Sequence, residues 1–340
     1  MTAAMAERRW RVAVVDGSHG HINGHIRRLT ANPQVELVGL VDPVAERADR
    51  LRQALGLGPE QVYRGVEALC DGARPEVVVC CASNAGHAPV VEALAPRGIH
   101  VMIEKPFAAT LEQADRMLRA IDGGGARLMC NWPIAWSPAW RLARQLVDEG
   151  RIGRLLQVRH RAGHNGPGRD FSSWFYRAQE GGGALLDFCS YGAHVANWLF
   201  GELPREVTAM AATLVKPVEV EDNAVVAARW TRGMGVFEAT WSRVGDEPGA
   251  GSVLYGTEGT IAVVGGGVRL SLGRDRTEEQ SAPPLADADA DPVAHFLAVL
   301  GTDAPLHPLC TPAAGRDTQV VLEAARRAVA TGQTQRLSPG

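Results

Sequence analysis

Between residues 10 and 131 the chain repeats one pattern: a short β-branched run, a turn, then a stretch with the apolar spacing of a helix. This repetition constrains the fold more than any other feature, because a strand that returns parallel to its neighbour needs a crossover, usually a helix. The strands fall at Arg11 to Asp16, Glu36 to Asp42, Glu76 to Ala82, His100 to Glu104 and Arg127 to Asn131. Runs such as VELVGLVD and EVVVCCA are apolar throughout, as expected of strands covered on both faces. Thr110 with Gln113 three residues on makes a capping box, and Asp122 before three glycines closes that helix. The first part of the chain, residues 1–123, is therefore expected to be a doubly wound parallel sheet.

After about residue 150 strands follow one another directly: Leu155 to Arg161, Glu206 to Leu214, Asn223 to Trp230 and Val236 to Ser242. Consecutive strands imply an α+β domain with a large, open, mostly antiparallel sheet, assigned to residues 124–340. Asp291 to Leu300 and Thr311 to Thr331 read as helices.

A length of 340 residues allows two domains, and 46% hydrophobic with 21% charged residues is an ordinary globular composition. A net charge of -3 gives no electrostatic footprint for nucleic acid. No stretch reaches the roughly 18 apolar residues of a membrane span, and MTAAMAERRW has no signal-peptide core. The six cysteines form no CxxC pair. The expectation is a cytoplasmic protein with neither membrane nor nucleic-acid partner.

The first βα turn, VAVVDGSHGHINGH, carries Gly17, Gly20 and Gly24 where a dinucleotide fingerprint would read GxGxxG. Gly17 to Gly24 spans seven positions rather than five, so the motif is distorted. Its place is still that of a pyrophosphate turn, with Gly17, Ser18, His19, Gly20 and His21 as the candidate contacts. Asp42 ends the second strand, where a carboxylate accepts from ribose hydroxyls and repels a 2′-phosphate; NAD is expected rather than NADP. Asp-Pro also begins turns for local reasons. His19, His21 and His25 have the spacing of imidazoles that converge on a metal, but no neighbouring cysteine or carboxylate cluster closes the set, so no metal is expected.

In IEKPF, Pro106 biases Lys105 toward an extended conformation at the carboxyl end of a parallel strand, where open α/β sheets bind ligands. The plain alternative is a surface lysine paired with Glu104. In GGGALLDFCSYGAHVANWLFG, spacings of four and three put Asp187, Tyr191 and His194 on one helical face, as a site or as a hydrogen-bonded structural helix. Trp132, Trp136 and Trp140 recur every four residues, but Pro133 and Pro138 forbid a continuous helix, so packing competes with sugar stacking. Trp174 and His164 are further candidate walls.

These segments together resemble the glucose-fructose oxidoreductase and inositol dehydrogenase (Gfo/Idh/MocA) family along nearly the whole chain: VELVGLVDP, SNAGHAPVVEAL, IEKPFAATLEQAD, LVDEGRIGRLLQV, GGGALLDF and LYGTEGTIAV come in family order. The resemblance implies a Rossmann-type nucleotide domain, an α/β domain whose open sheet builds a homodimer or homotetramer, and reversible NAD(P)-dependent hydride transfer at a carbon of a sugar, polyol or cyclitol. It implies Lys105 as the catalytic lysine and Asp187 as the acidic residue of the substrate helix. Ser83, Asn84, His87 and Glu104 are the further candidates beside the cofactor, and Trp132, His164 and Trp174 those beside the substrate. Many members carry DxGxH where this chain has Asp187, Cys189 and Tyr191, so the common histidine is a tyrosine here. Tyr191 is then the candidate acid/base: a phenol near pKa 10 is a poor base unless an ammonium such as Lys105 favours the phenolate. His194 would relay a proton, orient Asp187 or be structural. A non-catalytic dinucleotide sensor, and redox-neutral chemistry on retained NAD, are the alternatives.

Overall fold

The computed structural model describes residues 8–246 and 249–337, which form two compact units. The first holds six strands among the described residues: β1 (Trp10–Val15), β2 (Val35–Val41), β3 (Val62–Tyr63), β4 (Val77–Cys80), β5 (His100–Glu104) and β6 (Leu128–Asn131). All pair in parallel, in the order β3-β2-β1-β4-β5-β6. Between them lie α1 (Ile22–Ala31), α2 (Ala45–Leu55), α3 (Val66–Ala73), α4 (His87–Leu94) and α5 (Leu111–Ile121). Every residue of β4 and β6 is buried, which is what continuous apolar runs require of a sheet covered on both faces. The chain leaves β1 to one side for β2 and returns to its other side for β4, so the strand order reverses there. Ligands bind outside the carboxyl ends of strands at such a reversal.

The first unit does not stop near residue 123. β6 pairs in register with β5, Glu104 opposite Asn131, which carries the unit to Trp132. Residues 286–313 then return to it from far along the chain. Their helix α8 (Pro292–Thr302) starts with Asp291 accepting from the Val293 and Ala294 N–H groups at 2.8 and 3.0 Å, with Pro292 in the first turn.

The second unit is built on nine strands among the described residues: β7 (Leu155–Gly163), β8 (Glu206–Ala212), β9 (Asn223–Arg229), β10 (Met234–Thr240), β11 (Ser252–Gly256), β12 (Gly259–Val264), β13 (Gly267–Leu272), β14 (Arg276–Ser281) and β15 (Gln335–Arg336). Their order is β14-β13-β12-β11-β7-β10-β9-β8-β15, antiparallel except where β7 meets β10. α6 (Pro138–Asp148) packs on β12 and β13, and α7 (Ser190–Phe200) on β7 and β10; α9 (Pro312–Thr331) completes the helices. Alternate residues of β9 are buried and exposed, and Met210, Val225 and Met234 stay exposed on the sheet.

A π-helical turn, Leu185–Cys189, runs into α7. Its wider winding breaks the regular helical face expected for Asp187, Tyr191 and His194. Asp187 and Tyr191 remain partly exposed, while His194 is buried.

Candidate active site

The turn after β1 is held by carboxylates rather than by a run of glycines. Asp16 stands with φ at 57°, a left-handed conformation that glycine adopts without strain and aspartate tolerates. Its Oδ1 accepts from the Ser18 N–H at 2.8 Å and from Arg47 at 3.1 Å. Burial raises the Asp16 pKa, against the opposing pull of the Ser18 N–H. Gly17 is required by packing, because a Cβ there would meet Leu51 Cδ1 at 2.4 Å; a Cβ at Gly20 would meet nothing within 4 Å. Asp42, the ribose candidate, sends Oδ2 to the Gly17 N–H at 2.9 Å and to Arg47 Nε at 2.8 Å, and Oδ1 to the Val44 N–H at 2.9 Å. Its side chain is 0% exposed, so in this arrangement it clamps the turn.

Glu104, at the end of β5, is the centre of the first unit's polar cluster. It is 1% exposed, and its Oε2 takes a hydrogen bond from His21 Nδ1 at 2.9 Å while its Oε1 faces His25 Nε2 at 2.5 Å and Asn131 Nδ2 at 2.8 Å. Burial alone would push this carboxyl up, but the hydrogen bonds from His21 and His25 outweigh it and hold Glu104 well below the usual carboxylate range. Lys105 follows directly, 3% exposed, with its own N–H on Glu104 Oε2 at 3.3 Å. The alternative of a surface lysine is therefore excluded.

His25 and Asn131 were not legible as partners of this carboxylate, although each left a trace. His21 and His25 are four apart, and Asn131 ends the strand after Glu104. The structure also corrects the view that nothing closes the histidine set: His19, His21 and Glu104, and His25, Cys81 and Glu104, bring their donor atoms within 4.8 Å. Separations of 2.5 and 2.9 Å are those of shared protons. Four donors around a zinc ion at bonds of about 2.0 to 2.1 Å would stand roughly 3.3 Å apart. The cluster is hydrogen-bonded as it stands.

Of the other candidates in this unit, Ser83 and Asn84 are buried just after β4. His87 is 0% exposed, with Nδ1 on the Phe107 carbonyl at 3.1 Å; burial lowers its pKa to about 4, so it is a neutral tie between segments. Trp132 is fully enclosed, which is packing rather than a wall open to a sugar.

In the second unit, Asp187 Oδ2 accepts from the Trp241 indole N–H at 3.1 Å. The Tyr191 ring lies nearly parallel to His160 (centroids 6.0 Å apart) and to Phe188 (6.4 Å). His164, on an exposed stretch, meets Phe188 edge-on at 5.0 Å, and Trp174 stacks on Phe175 at 3.9 Å. This unit thus brings Tyr191 and His164 to Phe188, and Asp187 to the Trp241 indole. His160 was missed by sequence reading: it is buried, its Nδ1 lies 2.8 Å from Ser252 Oγ, and burial lowers its pKa to about 4. His194 points elsewhere, with Nδ1 2.6 Å from Thr318 Oγ1 on α9.

Fold and turn together define a nucleotide-binding α/β unit joined to a second unit with an open sheet. Residues 11–132 match the family profile described as "Oxidoreductase family, NAD-binding Rossmann fold", and residues 140–262 match "GFO/IDH/MocA C-terminal domain". The chain belongs to the Gfo/Idh/MocA oxidoreductase family. It is similar to the inositol 2-dehydrogenase of Rhizobium meliloti (strain 1021), 25% identical over 75% of this chain and 68% of that one. It is also similar to the D-apiose dehydrogenase of Paraburkholderia graminis, 28% identical over 74% of this chain and 67% of that one. Among solved structures, GenD2 from gentamicin A biosynthesis in complex with NAD superposes with a TM-score of 0.80 at 25% identity, covering 97% of each chain.

Proposed function

We propose that this chain is an NAD-dependent dehydrogenase that oxidises a secondary alcohol of a sugar, polyol or cyclitol and runs the reverse reduction. The observation that carries the reading is Lys105, buried at the carboxyl end of β5 beside a carboxylate-clamped nucleotide turn, in a family whose relatives are named for inositol and apiose. Residues 16–21, Asp42 and Ser83 to Asn84 fit a dinucleotide: the turn sits at the reversal of strand order, Gly20 leaves open space, and Asp42 fixes the loop. Bound NAD supplies the hydride acceptor. The chain's own residues handle the proton. Tyr191 takes the hydroxyl proton, Lys105 favours the phenolate that can accept it, and Asp187 orients the substrate from the indole of Trp241. NAD serves in preference to NADP.

Exposed Met210, Val225 and Met234 support the assembly of copies through the open sheet into a homodimer or homotetramer. A monomer by light scattering at micromolar concentration would remove that part of the reading. No helix among the described residues is long and apolar enough to cross a membrane, and the described cysteines are free thiols; both fit action in the cytoplasm.

Absorbance at 340 nm over a panel of sugars, polyols and cyclitols tests the chemistry. NADH accumulation with at least one substrate is expected. Turnover without accumulation would replace it with redox-neutral chemistry on retained NAD, and NAD binding without turnover would replace it with a sensor.

A further inference from the structure

A glycine-rich turn holds a diphosphate by aiming backbone N–H groups at it, which requires those groups to be available. In this chain they are already used. The Gly17 N–H goes to Asp42, the Ser18 N–H to Asp16, the His19 N–H to the Cys81 carbonyl, the His21 N–H to His19 Nδ1 and the Ile22 N–H to the His19 carbonyl, at 2.8 to 3.2 Å. Gly20 is the exception between residues 17 and 22. Diphosphate recognition must therefore draw on side chains, and the turn has three imidazoles.

Resting on the NAD-dependent reading above, we infer that the His21 ring, through Nε2, is the main diphosphate contact, standing where other dinucleotide turns use glycine N–H groups. His21 alone of the Glu104 partners is accessible: its side chain is 39% exposed, against 1% for His25. With Nδ1 committed to Glu104 Oε2, Nε2 is the ring's remaining polar atom, and only the protonated ring can donate from both.

Several groups surround His21. His25 on α1 and Glu104 on β5 share the cluster; His19 lies edge-on, with ring centroids 4.4 Å apart. Cys81 after β4 keeps its proton, since burial and then Glu104 push its thiol well above its usual range. Asp16 faces Arg47, and Lys105 follows Glu104. Glu104 itself is held ionised by the two rings.

The affinity for NAD, and for ADP as the simplest diphosphate probe, tests the contact. His21→Gln, which retains a hydrogen-bond donor but offers no cation, should weaken both ligands by at least tenfold. His21→Arg, which puts a cationic donor in the same place, should restore affinity, an outcome that a purely structural role would not give. Thermal melts of both variants within a few degrees of the parent show that the fold is kept. A His21→Gln variant that keeps the parent's affinity, or equal losses in both variants, would overturn the inference while leaving NAD dependence intact. Failure of the parent to bind NAD or ADP at any pH would overturn both.

Discussion

Two buried histidines, one in each unit, show how differently the units treat polarity. His25 faces the ionised Glu104, and the carboxylate gathers His21, Asn131 and the Lys105 N–H around it. His194 meets a hydroxyl, Thr318, on a neighbouring helix. The first arrangement concentrates charge and then satisfies it. The second ties two helices with a hydrogen bond to a hydroxyl, and leaves the unit's reactive candidates, Asp187 and Tyr191, among aromatic rings. A charged cluster suits an anionic cofactor, whereas indole and phenol surfaces suit the apolar faces and hydroxyls of a sugar. A buried residue is thus a candidate for chemistry by virtue of its partner, not its type.

The sharpest way to break this contrast is at the proposed proton-transfer residues, Lys105 and Tyr191. Lys105→Met and Tyr191→Phe should each lower turnover by roughly 10² to 10⁴, with NAD affinity little changed. The double variant should be scarcely worse than either single one, because both serve one step. Near-normal turnover in Tyr191→Phe would move the role to Lys105.

Glu104→Gln comes next. Removing the charge from a satisfied buried cluster should cost about 3 to 5 kcal/mol in urea unfolding at pH 7. The Glu104 pKa is lowered in the folded state, so its stabilisation is present above about pH 4.5 and is lost as pH falls through the lower folded value. The difference between parent and variant should accordingly shrink in acid. An unchanged difference at low pH would mean that packing, not charge, is what the cluster supplies.

His194→Ala should show the opposite profile: a loss of about 1 to 3 kcal/mol from the emptied site and the lost hydrogen bond to Thr318, with turnover within about twofold of the parent. A large loss of turnover in a folded variant would return His194 to the reaction. The smallest effect is expected at Asp42, where Asp42→Ala should narrow the preference for NAD over NADP by about 1 to 2 kcal/mol, measured as the ratio of dissociation constants. Equal weakening of both cofactors would identify Asp42 as a clamp on Gly17 alone.

The parallel sheet was legible because its strands announce themselves locally: β5 occupies His100–Glu104 as its apolar run implies, and α9 ends at Thr331 as expected. Lys105 was legible because Pro106 and the strand end fix its place in the fold. What escaped were relations between distant segments. Nothing within residues 286–313 says that they return to the first unit, and nothing in LLDFC says that the backbone winds as a π turn before Tyr191. Trp132 has the composition of a sugar platform and is fully enclosed.

The sequence by itself determined the class of fold and the family, because hydrophobic period and turn chemistry act over a few residues. Tertiary structure alone decided what the three histidines of that turn do. A buried carboxylate must be paired wherever the chain brings it, and the partners that pair Glu104 lie about eighty residues before it and one strand after it. Burial is a property of the assembled sheet, so the need for those partners exists only once β1, β4, β5 and β6 lie in one layer.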